Sequence, residues 1–351
     1  MNKPLSKPRA AATLFLLLAG FAGLSALENL SLVNTGTLSL EGISALSISY
    51  GQDEVILRES DSKDLVIREY MNRNNSRYYA DVSRRDGALH IRQGARPWFF
   101  GFFLKVRAEI YLPLSFRENL RIANSSGKLS GNVDLLDYKT IDISTSSGVV
   151  ALNRLSAQTV SIRVSSGDMD ISGIGGSSFV SVSSGKLRIG ELAGAEHRIK
   201  VSSGHTMIGV LQGGAAIELS NGDMVFEKVR GRIELDVSSG SVNTGNFSGE
   251  GRFALSSGKL NMDVEELTGD LRFRLSSGGV DMNIPGELFF NLDAVIKSGQ
   301  ARVAGMDGEI LQVSGNSTVL RPIGPAPEPG DSPALTIYAR MASGNMTINR
   351  R

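Results

Sequence analysis

From about residue 120 onward the chain alternates apolar and polar residues in short runs, and each run breaks at nearly the same tripeptide. The stretch R-I-K-V-S-S-G-H-T-M-I-G, beginning at Arg198, shows the form. Ile199 and Val201 alternate with Arg198 and Lys200, two serines and a glycine interrupt, and Met207 and Ile208 resume the apolar run. F-V-S-V-S-S-G-K-L-R-I, F-A-L-S-S-G-K-L-N-M-D-V and F-R-L-S-S-G-G-V-D-M-N-I repeat it. A step of two sends alternate side chains to opposite faces, so each unit reads as strand, turn, strand with one face inward.

The turn glycines are Gly127, Gly148, Gly167, Gly185, Gly204, Gly222, Gly240, Gly258, Gly278 and Gly299, at steps of 18 to 21 residues. All but two end a Ser-Ser-Gly; Gly222 follows Ser220-Asn221 and Gly299 follows Lys297-Ser298. Glycine suits a turn that needs positive φ, and serine hydroxyls can satisfy nearby backbone groups. No single unit is long enough to be stable alone, but stacked units bury a continuous apolar column. The spacing therefore predicts an all-β chain: a parallel β-solenoid of about ten coils, right-handed by the general rule for parallel crossovers. A second corner is signalled by Leu192-Ala193-Gly194, Leu211-Gln212-Gly213, Val229-Arg230-Gly231 and Leu267-Thr268-Gly269. An antiparallel meander fits less well, because the turns lack a regular Asn-Gly or Asp-Gly hairpin signal.

Five regions are expected: a signal peptide at 1–26, an irregular β cap at 27–120, the solenoid at 121–320, a proline-rich loop at 321–334 and a terminal strand and coil at 335–351. Lys3, Lys7 and Arg9 precede an apolar run from Ala10 to Ala26 that ends in small residues, the layout of a secretory signal with cleavage after Ala22 or Ala26. An uncleaved membrane anchor is the other reading of that segment. The expected location is outside the cytoplasm: periplasm, cell surface or secreted. Ala342-Ser343-Gly344 is one more copy of the turn beyond the proline-rich loop.

Composition narrows the field. Net charge is +1, from 37 basic and 36 acidic residues with no basic stripe, so nucleic acid is not an expected partner. Cysteine is absent, which excludes disulfides, thiolate metal sites, a cysteine nucleophile and a lipid-modified N-terminal cysteine. Forty glycines suit narrow coils with many corners.

Candidate chemistry is sparse. There is no Gly-x-Ser-x-Gly elbow, and of the three histidines only His205 follows a turn; a surface polar role is the simpler reading. His90 and His197 come with no partner motif. Asp168-Met169-Asp170 and Asp281-Met282-Asn283 set acidic or amide side chains on one strand face, which could hold calcium weakly but reads more simply as a solvated face. No cofactor is expected. The most distinctive tract is Arg96-Pro97-Trp98-Phe99-Phe100-Gly101-Phe102-Phe103. Trp98, Phe99, Phe100, Phe102 and Phe103 form either a plug for the open end of the column or a contact patch for membrane or a partner.

Ala108-Glu109-Ile110-Tyr111-Leu112-Pro113, then Leu120-Arg121-Ile122-Ala123-Asn124-Ser125-Ser126-Gly127 and the Ser-Ser-Gly units down to Gly278, resemble the bacterial "putative adhesin" family. That resemblance covers about two thirds of the chain. It implies an exported or cell-envelope β-strand-repeat protein and carries no catalytic residues. The expected function is non-enzymatic: an exported surface or envelope solenoid binding a glycan, a protein or an envelope surface. A periplasmic scaffold or envelope-stress component is the alternative, and a carbohydrate-active β-helix enzyme is a third.

Overall fold

The computed structural model describes residues 30–96, 104–304, 310–324 and 335–351. The expected signal peptide, the tract Trp98 to Phe103 and residues 325–334 of the proline-rich loop lie outside the described residues. The protein is a parallel β-solenoid. Apart from one 3-10 turn, Ser76–Tyr78, the described elements are strands.

Between one turn and the next the central chain forms single long strands of 15 to 17 residues. Val149–Val164, Asp168–Val182, Lys186–Val201, His205–Leu219, Asp223–Val237, Ser241–Leu255 and Lys259–Leu275 follow one another, each paired in parallel with the next. Each strand bends at the second corner, so a coil has a leading half after its turn and a trailing half before the next. Alternation works on both halves. In the Lys186–Val201 coil, Leu187, Ile189, Leu192, Ile199 and Val201 are buried while Lys186, Arg188, Arg198 and Lys200 face water. Stacking lines such residues into columns. Ile199, Ile217, Leu235, Phe253 and Phe273 form one of them, with the last two rings stacked at 5.0 Å. Burying each such side chain contributes about 1.5–3 kcal/mol, which the isolated two-stranded unit could not collect.

Stacked coils begin before the first Ser-Ser-Gly. Asn119–Asn124 lies in parallel on Ala45–Tyr50, and Lys128–Gly131 on Glu54–Ser60. Ala88–Arg92 and Val106–Pro113 stack on the other side of those same strands. Beyond them the pairing turns antiparallel: Asp81–Arg85 on Ala88–Arg92, Asp64–Met71 on Val106–Pro113, and Ser31–Ser39 on Asp64–Met71. The far end closes the same way, with Ser317–Ile323 antiparallel to Phe290–Ile296 and Ile310–Ser314 antiparallel to Gln300–Ala304. Reversed strands at both ends cover edges that would otherwise template another parallel coil.

Order in space departs from order in sequence at both ends: residues 45–60 lie between 88–113 and 119–131, and a late coil is inserted near the far end. Leu335–Met341 pairs with 271–275 on one side and with Phe290–Ile296 on the other. Asn345–Arg350 likewise lies between Gly279–Ile284 and Gln300–Ala304. The Ala342-Ser343-Gly344 coil is thus inserted between the Gly278 and Gly299 coils. Small buried residues, Ala339 and Ala294, face each other where it enters.

Candidate interaction surface

The Ser-Ser-Gly corner is a ladder of backbone. In the coil of Gly204, the Ser202 N–H donates to Val182 O (2.9 Å), Ser203 N–H to Ser183 O (2.7 Å) and His205 N–H to Gly185 O (3.1 Å). The same three bonds recur coil after coil. The turn hydroxyls are seen bonding only near the ladder's ends: Ser126 Oγ donates to Gly51 O, Ser343 Oγ donates to Ser276 O, and the Ser277 and Ser343 hydroxyls pair. Positive φ, expected for the glycines, is not found; none of the ten has φ in the left-handed region. Glycine is required for closeness instead. A Cβ on Gly204 would run into Gly185 O and one on Gly222 into Gly204 O; at Gly258 and Gly278 the carbonyl below would stand 2.8 and 2.7 Å away. That carbonyl is itself hydrogen-bonded in the ladder and has nowhere to go.

The second corner is a separate glycine ladder, Gly176, Gly194, Gly213, Gly231 and Gly249; the first closes on Ala157 O and each later one on the carbonyl of the glycine before. Here positive φ does occur, +98° at Gly176, +115° at Gly213 and +132° at Gly231. Gly269 does not join this stack; its neighbour is the Glu250 side chain, beside a register irregularity between Gly249 and Gly251.

His197 sits against this corner, fully buried. Its Nδ1 is 2.9 Å from Ser178 Oγ, one coil away, and its Nε2 is 3.1 Å from Gln212 O. Burial holds the imidazole below its ordinary pKa, against hydrogen bonds to Gln212 and Gly194 carbonyls. A serine and histidine so placed are closed off from any substrate and act as a polar bolt between three coils. His205 is exposed, in register with Lys186 and Asp223, and His90 stands beside Ser47 and Ser83 near the first edge. Of the acidic strand tracts, Asp281 pairs with Lys259 at 3.1 Å, and Asp170 lies in register with Arg188.

The root of the aromatic tract is anchored. Arg96 forms a bidentate ion pair with Asp53 in the first turn, and its Nη1 donates to Tyr78 O at 2.9 Å. Tyr50 and the buried Glu69 lie close by; burial pushes the Glu69 carboxyl up, and hydrogen bonds from Asn34 and the Ala80 N–H pull it back only in part. Trp98, Phe99, Phe100, Phe102 and Phe103 follow directly, outside the described residues.

Two broad surfaces remain. On the leading halves, a shallow groove of about 800 Å³ is bordered by Arg58, Tyr111, Ser130, Asn153 and Asp170. On the trailing halves, the fourth and second residues before each turn face outward in two columns. A groove of about 490 Å³ lies there between Glu234 and Asp236 on one side and Arg272, Arg274, Tyr338 and Arg340 on the other, with Arg252 and Ala254 between. Arg272 lies over the Tyr338 ring at 4.6 Å, and Arg340 is paired with Asp293. Reading the residues two and four places before every turn would have exposed this layout in the sequence, except that the inserted coil hides Tyr338 and Arg340 at the wrong place in the series.

A family model described as Toastrack DUF4097 matches residues 43–225 and 214–318. No curated protein matches the chain. Among solved structures, the chain is similar to one described as a putative cell adhesion protein from Clostridium sporogenes, at 10% identity and TM-score 0.24, over 91% of this chain and 98% of that one. It is also similar to a putative adhesin from Parabacteroides merdae (12% identity, TM-score 0.33, 72% and 89% covered). A putative lipid binding protein from Parabacteroides distasonis matches at 11% identity and TM-score 0.36, over 91% and 96%.

Proposed function

The chain belongs to the Toastrack DUF4097 family, and from that premise we propose that it is an exported, non-enzymatic adhesion module of the cell envelope. The observation that carries the reading is the pair of outward columns on the trailing halves, continuous across the stack and rich in charged side chains. A rigid ladder offers many weak contacts at fixed spacing, and such contacts become strong when several are made at once. Support also comes from the amino-terminal sequence, which has a basic start, an apolar run and small residues at its end. The aromatic tract rooted by Arg96 is a second contact point, suited to a membrane or an apolar partner.

The test is protease shaving of intact cells with lysed cells as control, following the protein by blot. Digestion on intact cells supports surface adhesion. Protection until lysis overturns it in favour of a periplasmic scaffold.

A further inference from the structure

The charges of the trailing face are sorted, not mixed. Arg252 is in direct register with Arg272, and Arg274 with Arg340; Glu218 is in direct register with Asp236. Like charges opposite one another destabilise a sheet. Farther out on the same face opposite charges do pair, where Arg163 meets Asp142 and Lys200 meets Glu218. Among the described residues, Arg198, Asp236, Arg252 and Arg274 are seen in no ion pair.

The sorting has a centre, the row of Arg252 and Ala254. One coil to one side stand Glu234 and Asp236; one coil to the other stand Arg272 and Arg274. Two coils out, Ala216 and Glu218 answer Tyr338 and Arg340. Three coils out Arg198 answers Asp293, and four out the half-exposed Phe179 answers Leu320, which is 76% exposed. A two-fold rotation about a line parallel to the strands, just above that row, keeps each column over itself and reverses the coil order. It sets Glu234 on Arg272, Asp236 on Arg274, Glu218 on Arg340, Arg198 on Asp293, Ala216 on Tyr338 and Phe179 on Leu320, each twice.

We propose that the trailing face docks on the trailing face of a second copy, the two solenoids running antiparallel. Opposite charge meets opposite charge, small meets large and apolar meets apolar; Arg252 and Ala254 each meet their own kind, and Lys200 lies over Val295. An arrangement unfavourable within one chain is complementary between two. Nine rows at ~4.8 Å and two columns give on the order of 600 Å² per copy, the low end for a specific interface. Association is therefore weak and salt-sensitive, and it gains strength from numbers on a surface. Resting on the adhesive reading, antiparallel docking suits copies carried by two facing cells.

The experiment is sedimentation velocity on the purified protein, over a concentration series at low and high salt. Wild type should show concentration-dependent dimers that disappear at high salt. D236R and R274D should each weaken dimerisation about tenfold or more. Their equimolar mixture should dimerise again, because every 236–274 contact then joins opposite charges, and the D236R/R274D double variant should do the same. If either single variant fails to fold, E218R and R340E form the same cycle. A wild type that stays monomeric at low salt, single variants that dimerise normally, or a mixture that stays monomeric overturns the proposal. Cell binding separates the two readings. A monomeric wild type that still coats cells removes the self-docking and leaves adhesion standing; a dimer protected until lysis does the reverse.

Discussion

The two corners of each coil look alike in sequence, since both end in glycine, but they need glycine for different reasons. At the Ser-Ser-Gly corner the backbone is unstrained and a carbonyl from the coil below occupies the space of a side chain. At the other corner the same closeness is combined, in three coils, with a left-handed backbone, and His197 is bolted beside it. One residue type can thus report packing at one place and conformation at another, and substitution separates them.

Gly240→Val should have the largest effect. Its Cβ would meet Gly222 O and stand 2.8 Å from Leu219 Cδ2, so the variant should lose about 4 kcal/mol or more, or fail to fold, in denaturant unfolding. A loss below about 1 kcal/mol would show that the first corner has slack. At the second corner both Gly194→Ala and Gly213→Ala collide with the coil below, but only Gly213 has positive φ. Gly213→Ala should therefore cost about 1–2 kcal/mol more than Gly194→Ala; equal losses would remove the distinction between the corners.

His197→Leu leaves Ser178 Oγ and Gln212 O without their partner, so at neutral pH it should cost about 1–3 kcal/mol. The sign of the pH effect follows from the depressed imidazole. Its stabilisation is present above the ordinary value of 6.5 and is lost as pH falls through the lower folded value, because the unfolded chain then binds the proton more readily. The gap in melting temperature between wild type and His197→Leu should narrow as pH falls below 6.5; a constant gap would exclude the ring as the titrating group. The smallest effect belongs to Ser203→Ala, within about 0.5 kcal/mol, since backbone groups make that turn's ladder bonds. Ser126→Ala should cost more, about 1 kcal/mol, because its hydroxyl donates to Gly51 O at 2.9 Å.

The solenoid was legible because period-two alternation and the recurring turn are local and repeat many times. What Gly204 does was not, because residue type does not distinguish a positive φ from a crowded ladder. The Ser178–His197 contact spans 19 residues, one coil, and becomes readable only once the register is known. The place of the Ala342-Ser343-Gly344 coil was hidden for a deeper reason: every coil offers nearly the same ladder to its neighbour. Its site is fixed by long-range particulars, such as the Thr336 N–H donating to Asp270 Oδ1 at 3.0 Å and Asn349 Nδ2 donating to Asn283 Oδ1 at 3.2 Å.

That inserted coil bears on how the molecule is made. A stack of this kind can grow coil by coil as the exported chain emerges, each new layer settling on a finished one. Growth halts at the Gly278 coil. Residues 290–304 emerge next but have no bed to settle on, because the layer they rest against is formed by residues 335–350, which emerge later. The last layers are thus kept waiting and then assembled together, across sequence separations of more than sixty residues, as the first end is across separations of 75. Removing residues 335–350 would take a course out of the middle of the wall, and the strands closing that end would fall with it.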